Sequence, residues 1–119
     1  MSRPTLPRAI EAALSRFRSA LVARFGARLH EVVLFGSWAR GDAHEESDVD
    51  LLVVVDGLDE RERRDVMDAA YDAAAAAVDM ADCVSISPLP YSTAQVTELR
   101  SRERRLFRDI AAEGAPLWP

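Results

Sequence analysis

The chain has 119 residues, 49% of them hydrophobic, and a formal net charge of −5; this is the size of one domain with its own core. No apolar stretch approaches the roughly 20 residues that span a bilayer. The single Cys83 rules out an internal disulfide or a cysteine-based zinc site, and the acid excess disfavours broad, nonspecific binding to nucleic-acid backbone.

Residues 1–7 contain no apolar signal core, so a cytoplasmic location is expected. Ile10, Leu14, Phe17, Leu21 and Phe25 recur at three- and four-residue steps and predict an amphipathic helix, with Pro7 in its first turn and Gly26 at its end. Glu31–Phe35 reads as a buried strand. Gly36-Ser37 then turns the chain into a short helix around Trp38–Arg40 that Gly41 ends, and Asp42–Ser47 is a polar loop. Val49–Val55 is a second strand, apolar enough for the middle of a sheet. Asp59 suits the N-cap of a helix running to about Val78, with Val66, Met67, Ala70 and Ala74 as its inner face. A third strand is predicted over about Ala81–Ser87, ended by Ser-Pro-Leu-Pro. Helices follow near Ser92–Leu99 and Arg102–Glu113, the second with Leu106, Phe107 and Ile110 on one face and Gly114 as its cap. The polar run Arg100–Arg105 reads as a solvated helix start. The order αβαβαβαα predicts an α/β (α+β) layer around a small mixed sheet of three or four strands.

All fifteen basic residues are arginine. Without lysine there is no Schiff-base chemistry and no Walker-type phosphate loop.

The chemistry concentrates in residues 36–53. A Gly36-Ser37 pair closes the apolar run Val32–Phe35, and Asp48 and Asp50 head the run Leu51–Val55. Residues i and i+2 of a strand share a face, roughly 7 Å apart at the Cα. Two carboxylates about 5 Å apart repel by roughly 3 kcal/mol at an effective dielectric of 20. A divalent cation would offset that cost. Beside the pair, a Gly-Ser turn at a helix start suits phosphate.

The pattern Gly-Ser-x-Ala-Arg-Gly, a short loop, then Ser-Asp-x-Asp-Leu-x-Val resembles the signature of the minimal nucleotidyltransferases of the polymerase-β-like superfamily. The closing stretch Leu106–Leu117 also looks like the end of such chains. The resemblance implies a single domain over residues 1–119 and Mg²⁺-dependent transfer of a nucleoside monophosphate from ATP or another triphosphate. It implies three carboxylates as catalytic metal ligands: Asp48, Asp50 and a third on a later strand. Asp82 is the favoured third acid, and Asp79, just after the alanine run, is the alternative. Two Mg²⁺ ions would stabilise the attacking and leaving oxygens of an in-line displacement.

Gly36 and Ser37 would meet the triphosphate, and Arg40 would offset phosphate charge or anchor the loop through a carboxylate. Ser47 reads first as the cap of the Asp48 turn and, within the signature, as a nucleotide contact. Trp38 reads as packing behind the turn, His44 as a solvated loop residue, and His30 and Cys83 as structural.

These 119 residues are expected to be taken up by metal, triphosphate and core, so the acceptor is expected to be held by a partner chain or by the neighbour in a homodimer. For the minimal family the resemblance implies an antitoxin that transfers AMP to a tyrosine of a helical HEPN-type ribonuclease toxin. Two alternatives stand beside it: a small-molecule acceptor such as an aminoglycoside held by a separate helical subunit, and a non-catalytic module that neutralises its partner by contact.

Overall fold

Helix α1 (Arg8–Phe25) opens the chain in a computed structural model that describes residues 5–44, 47–77 and 84–118. The predicted stripe is its buried face: Ile10, Leu14, Phe17, Leu21 and Phe25 all lie in the core, joined by Ala9 and Ala13. Pro7 stands at the N-cap, where its missing N–H costs nothing, and Gly26 closes the helix at φ +55°. A single 3₁₀ turn leads into β1 (Leu29–Phe35), which starts two residues before the expected Glu31. His30 is the extra residue of a bulge there, since Leu29 and Glu31 face the consecutive residues Val55 and Val54.

The one-turn helix α2 (Ser37–Arg40) and strand β2 (Val49–Val55) fall where the sequence puts them. The sheet order is β3-β2-β1-β4, so β2 is internal, as its unbroken apolarity requires. It runs antiparallel to β1 and parallel to β3. Alternation along β2 divides the core. Leu51, Val53 and Val55 pack against α1 and α3 (Glu60–Ala76), while Leu52 and Val54 pack against the helices α4 (Thr93–Arg102) and α5 (Arg104–Glu113). The result is three layers, helix, sheet and helix.

Asp59 caps α3 in a reciprocal box with Glu62, each side chain bonding the other's backbone N–H. The inner face of α3 differs from the expected one: Val66, Ala70, Ala73 and Ala77 are buried, whereas Met67 is exposed and Ala74 half-buried. The steps 66, 70, 73 and 77 keep one face of a 3.6-residue helix, and small alanines let α3 lie close to the sheet. Val78, where the helix was expected to end, lies outside the described residues.

The third strand is the main correction. As described, β3 spans Ile86–Tyr91 and runs straight through Pro88 and Pro90, which were expected to end it. The Ser85 carbonyl accepts from Val49 N–H (2.8 Å), which turns the odd-numbered residues' polar groups toward β2 and those of both prolines to the open edge. No ladder bond is lost there. The outward Pro90 carbonyl instead accepts from Arg63. The expected start of this strand, with Asp82 and Cys83, lies outside the described residues.

Two further differences lie near the C-terminus. Glu103 separates α4 from α5, so the exposed run Arg100–Arg105 straddles the junction instead of starting a single helix. A fourth strand, β4 (Ala115–Trp118), pairs antiparallel with β1 where the sequence predicted only a helix cap and tail. Among the described residues no helix is long and apolar enough to cross a membrane.

A buried carboxylate went unread in the sequence. Glu62 accepts from two nitrogens of Arg28 (2.7 and 2.8 Å), tying α3 to the turn before β1. The Arg28 hydrogen bonds are the main reason its carboxyl is held down at about 2, assisted by the Asp59 N–H and by the charges of Arg28 and Arg24. The folded-state value is thus depressed, so its stabilisation is complete above about pH 4.5 and is lost as pH falls toward 2. Glu62→Gln is expected to lower stability at pH 7 and flatten the fall on the acid side; denaturant midpoints from pH 7 to pH 2.5 check this. An unchanged acid slope would remove Glu62 as its source.

Candidate functional site

Asp50 is the second residue of β2 and points away from the α1–α3 core, to the face that carries Leu52 and Val54. Its register partners are Phe35 on β1 and Ser87 on β3. Because Phe35 is the last residue of β1, the turn that follows begins directly beside Asp50. Gly36 takes φ +77° and ψ −157°, a region essentially restricted to glycine. A Cβ there would overlap a carboxylate oxygen of Asp50 and stand 3.2 Å from its Cγ. The glycine therefore serves two ends: the backbone reversal and the space for the acid.

Ser37 heads the turn that results. Gly36 carbonyl accepts from the N–H groups of Ala39 (3.1 Å) and Arg40 (3.0 Å), and Ser37 carbonyl from those of Gly41 (3.0 Å) and Asp42 (3.1 Å). Gly41 closes the turn in the left-handed region at φ +85°. Trp38 packs at the rim of the α1–α3 core and donates its indole N–H to the Ser47 carbonyl (3.0 Å), holding the far end of the loop against the turn. Ser47 is built into that loop. Its hydroxyl accepts from His44 N–H (3.1 Å) and its own N–H donates to the His44 carbonyl (2.9 Å), the geometry of a turn cap.

Asp48 is exposed, one residue ahead of β2 and two from Asp50. The two acids sense each other. Asp50 is pushed above the usual aspartate range, first by burial and second by the negative charge of Asp48, with Arg40 opposing. Arg40 acts on Asp50 only through space, because its guanidinium is engaged by Asp42 (3.1 Å) and by Glu113 at the end of α5 (3.2 Å). Those bonds raise the Arg40 guanidinium above its ordinary value and tie the loop to the second helical layer.

The structure thus brings together Gly36, Ser37, Arg40, Ser47, Asp48 and Asp50. Asp82 and its alternative Asp79 lie outside the described residues. Among the described residues no group of three acidic, histidine or cysteine side chains gathers as a metal cage. The two acids still suit a hard divalent cation: both are oxygen donors, they lie two residues apart at the head of β2 and sense each other's charge, and Asp50 has no direct ion pair among the described residues. Glu113 was missed in the sequence. It lies 73 residues from Arg40, and only the docking of α5 makes them neighbours.

The family model described as "Nucleotidyltransferase domain" matches residues 14–110. The chain belongs to this family. The match takes in the turn, both acids and all three layers of the domain. Curated relatives align over a shorter core. "Putative protein adenylyltransferase MJ0604" of Methanocaldococcus jannaschii is 48% identical over 46 residues, covering 39% of this chain and 46% of its own length. Protein adenylyltransferase MntA of Thermococcus cleftensis is 50% identical over 44 residues, covering 37% of this chain and 42% of its own. The chain thus spans under half the length of these relatives. A crystal structure of a mutant of the toxin–antitoxin MntA–HpeT is similar in fold, with a TM-score of 0.52 and 24% identity over 82% of this domain and 67% of that chain.

Proposed function

We propose that this nucleotidyltransferase domain moves AMP from ATP to a hydroxyl of a protein partner, a tyrosine of a helical HEPN-type toxin, the tyrosine oxygen displacing pyrophosphate at the α-phosphorus and its proton passing to solvent, and so acts as an antitoxin in the cytoplasm. The observation that carries the proposal is the electrostatic coupling of Asp48 and Asp50 at the head of β2, beside a glycine whose missing side chain leaves room for Asp50. The relatives named as protein adenylyltransferases support a protein acceptor, and the toxin–antitoxin neighbour supports a toxin as the partner.

Asp48 and Asp50, with Asp82 as the third acid, would hold Mg²⁺. When bound, Mg²⁺ would supply positive charge that offsets the triphosphate and lowers the cost of forming the attacking phenoxide. The remaining work falls to the chain. Gly36 would let the backbone approach the phosphates closely, and the hydroxyl of Ser37 and the N–H groups of Ser37 and Trp38 at the start of α2 would donate to their oxygens. Arg40 fixes the loop through Asp42 and Glu113, and Trp38 and Ser47 hold its other end. The acceptor hydroxyl must reach about 3–3.5 Å from the α-phosphorus, so the partner has to be seated before transfer.

Nucleotide affinity should be far higher with Mg²⁺ or Mn²⁺ than in EDTA; calorimetry giving equal affinities would count against the metal site. Transfer itself is tested by incubating the protein with Mg-ATP and the helical product of an adjacent gene. Intact-mass spectrometry should then find AMP additions on the partner, lost when its tyrosine is changed to phenylalanine. An unmodified partner that is still neutralised by an Asp48→Asn variant would leave inhibition by contact in its place.

A further inference from the structure

The second face of the sheet is incompletely covered. Helices α4 and α5 are ten residues each and pack mainly over β2 and β1. Beside α5 this leaves a groove of about 610 Å³. Its floor is aliphatic, formed by Val33, Leu52, Ile110 and Pro116, with Phe107 largely buried beneath the helix. Its rim carries Arg100, Arg104 and Arg108.

These arginines are unusual in an acidic chain. All three are exposed, and among the described residues none makes an ion pair, whereas the neighbouring Arg102 pairs with Glu98. Arg104 and Arg108 are one helical turn apart, a spacing at which like charges repel. Among the described residues Glu31 is the one acid lining the groove. An apolar floor edged by unpaired cations, Arg104 and Arg108 one turn apart on α5 and Arg100 at the end of α4, is complementary to an amphipathic helix whose apolar stripe is flanked by a row of acids.

We infer that the α4–α5 groove is a docking site for an acidic amphipathic helix of a partner protein. A single-stranded nucleic acid fits less well. Its bases need exposed aromatic platforms, and among the described residues the only aromatic side chain lining the groove is buried Phe107. The groove locates a partner of the kind proposed above, and that link rests on the proposed function. Its test uses no nucleotide, so failed docking and failed transfer remain separate results.

The probe is a fluorescein-labelled 18-residue helical peptide with a leucine stripe and glutamates at i, i+4 and i+8. Anisotropy should show binding at least tenfold tighter than for the same peptide with lysines in place of the glutamates. Arg104→Glu/Arg108→Glu should weaken the acidic peptide at least tenfold and strengthen the lysine peptide, with circular dichroism and melting temperature unchanged. Equal binding of both peptides, or indifference to the double reversal, would overturn the inference. So would tighter binding of an oligouridine RNA that the reversal abolishes, or sedimentation showing that these arginines instead hold two copies of this chain together.

Discussion

Asp50→Asn is expected to cut AMP transfer by at least about a hundredfold, a loss of roughly 2.7 kcal/mol in transition-state stabilisation, while leaving the fold intact. Burial and Asp48 both disfavour the Asp50 carboxylate, so the neutral amide removes an unfavourable charge from the folded state. The melting temperature at pH 7 should be unchanged or higher. Asparagine keeps the shape that fits against Gly36 but loses the charge a cation needs. Asp48→Asn should behave alike in activity. Asp82→Asn should join them and Asp79→Asn should be nearly silent; the reverse would make Asp79 the third acid. Transfer assays paired with thermal melts separate these outcomes. An Asp50→Asn variant retaining more than a few per cent of activity would show that the pair does not hold the metal.

Gly36→Ala is expected to damage both stability and site. A side chain at φ +77° and ψ −157° costs about 1–3 kcal/mol. The added Cβ also collides with the Asp50 carboxylate, so the acid must swing away or the turn must open. Stability should therefore fall by at least that amount, with nucleotide affinity lost as well. Gly41→Ala is the control: its φ is also positive, but a Cβ there meets nothing within 4 Å. It should cost stability while sparing nucleotide binding in the folded fraction. If Gly36→Ala kept full nucleotide affinity, the contact between turn and acid would be irrelevant to binding.

The parts of the site that are local in sequence could be read from it. Gly36, Ser37, Asp48 and Asp50 lie on either side of a strand-to-helix turn and at the head of the next strand. Alternation and turn chemistry act over a few residues, so their placement follows from spacing. Arg40 was legible only in part. Pairing with a carboxylate was one of its two expected roles, but Glu113 could not be named, because that contact depends on where α5 lands. The Arg28–Glu62 pair was invisible for the same reason.

The amphipathic stripe of α1, the cap of α3 at Asp59 and the internal position of β2 were determined by the sequence alone, since each rests on short-range periodicity or on a side chain bonding its own backbone. Tertiary structure decided the rest. Pro88 and Pro90 look like strand breakers until β3 is known to be an edge strand, where half of the backbone N–H positions need no partner. Four residues, Ala115–Trp118, become a strand only because β1 offers them an open ladder. A stretch that short has no periodicity to read, and the hydrogen bonds that define it belong to its neighbour as much as to itself.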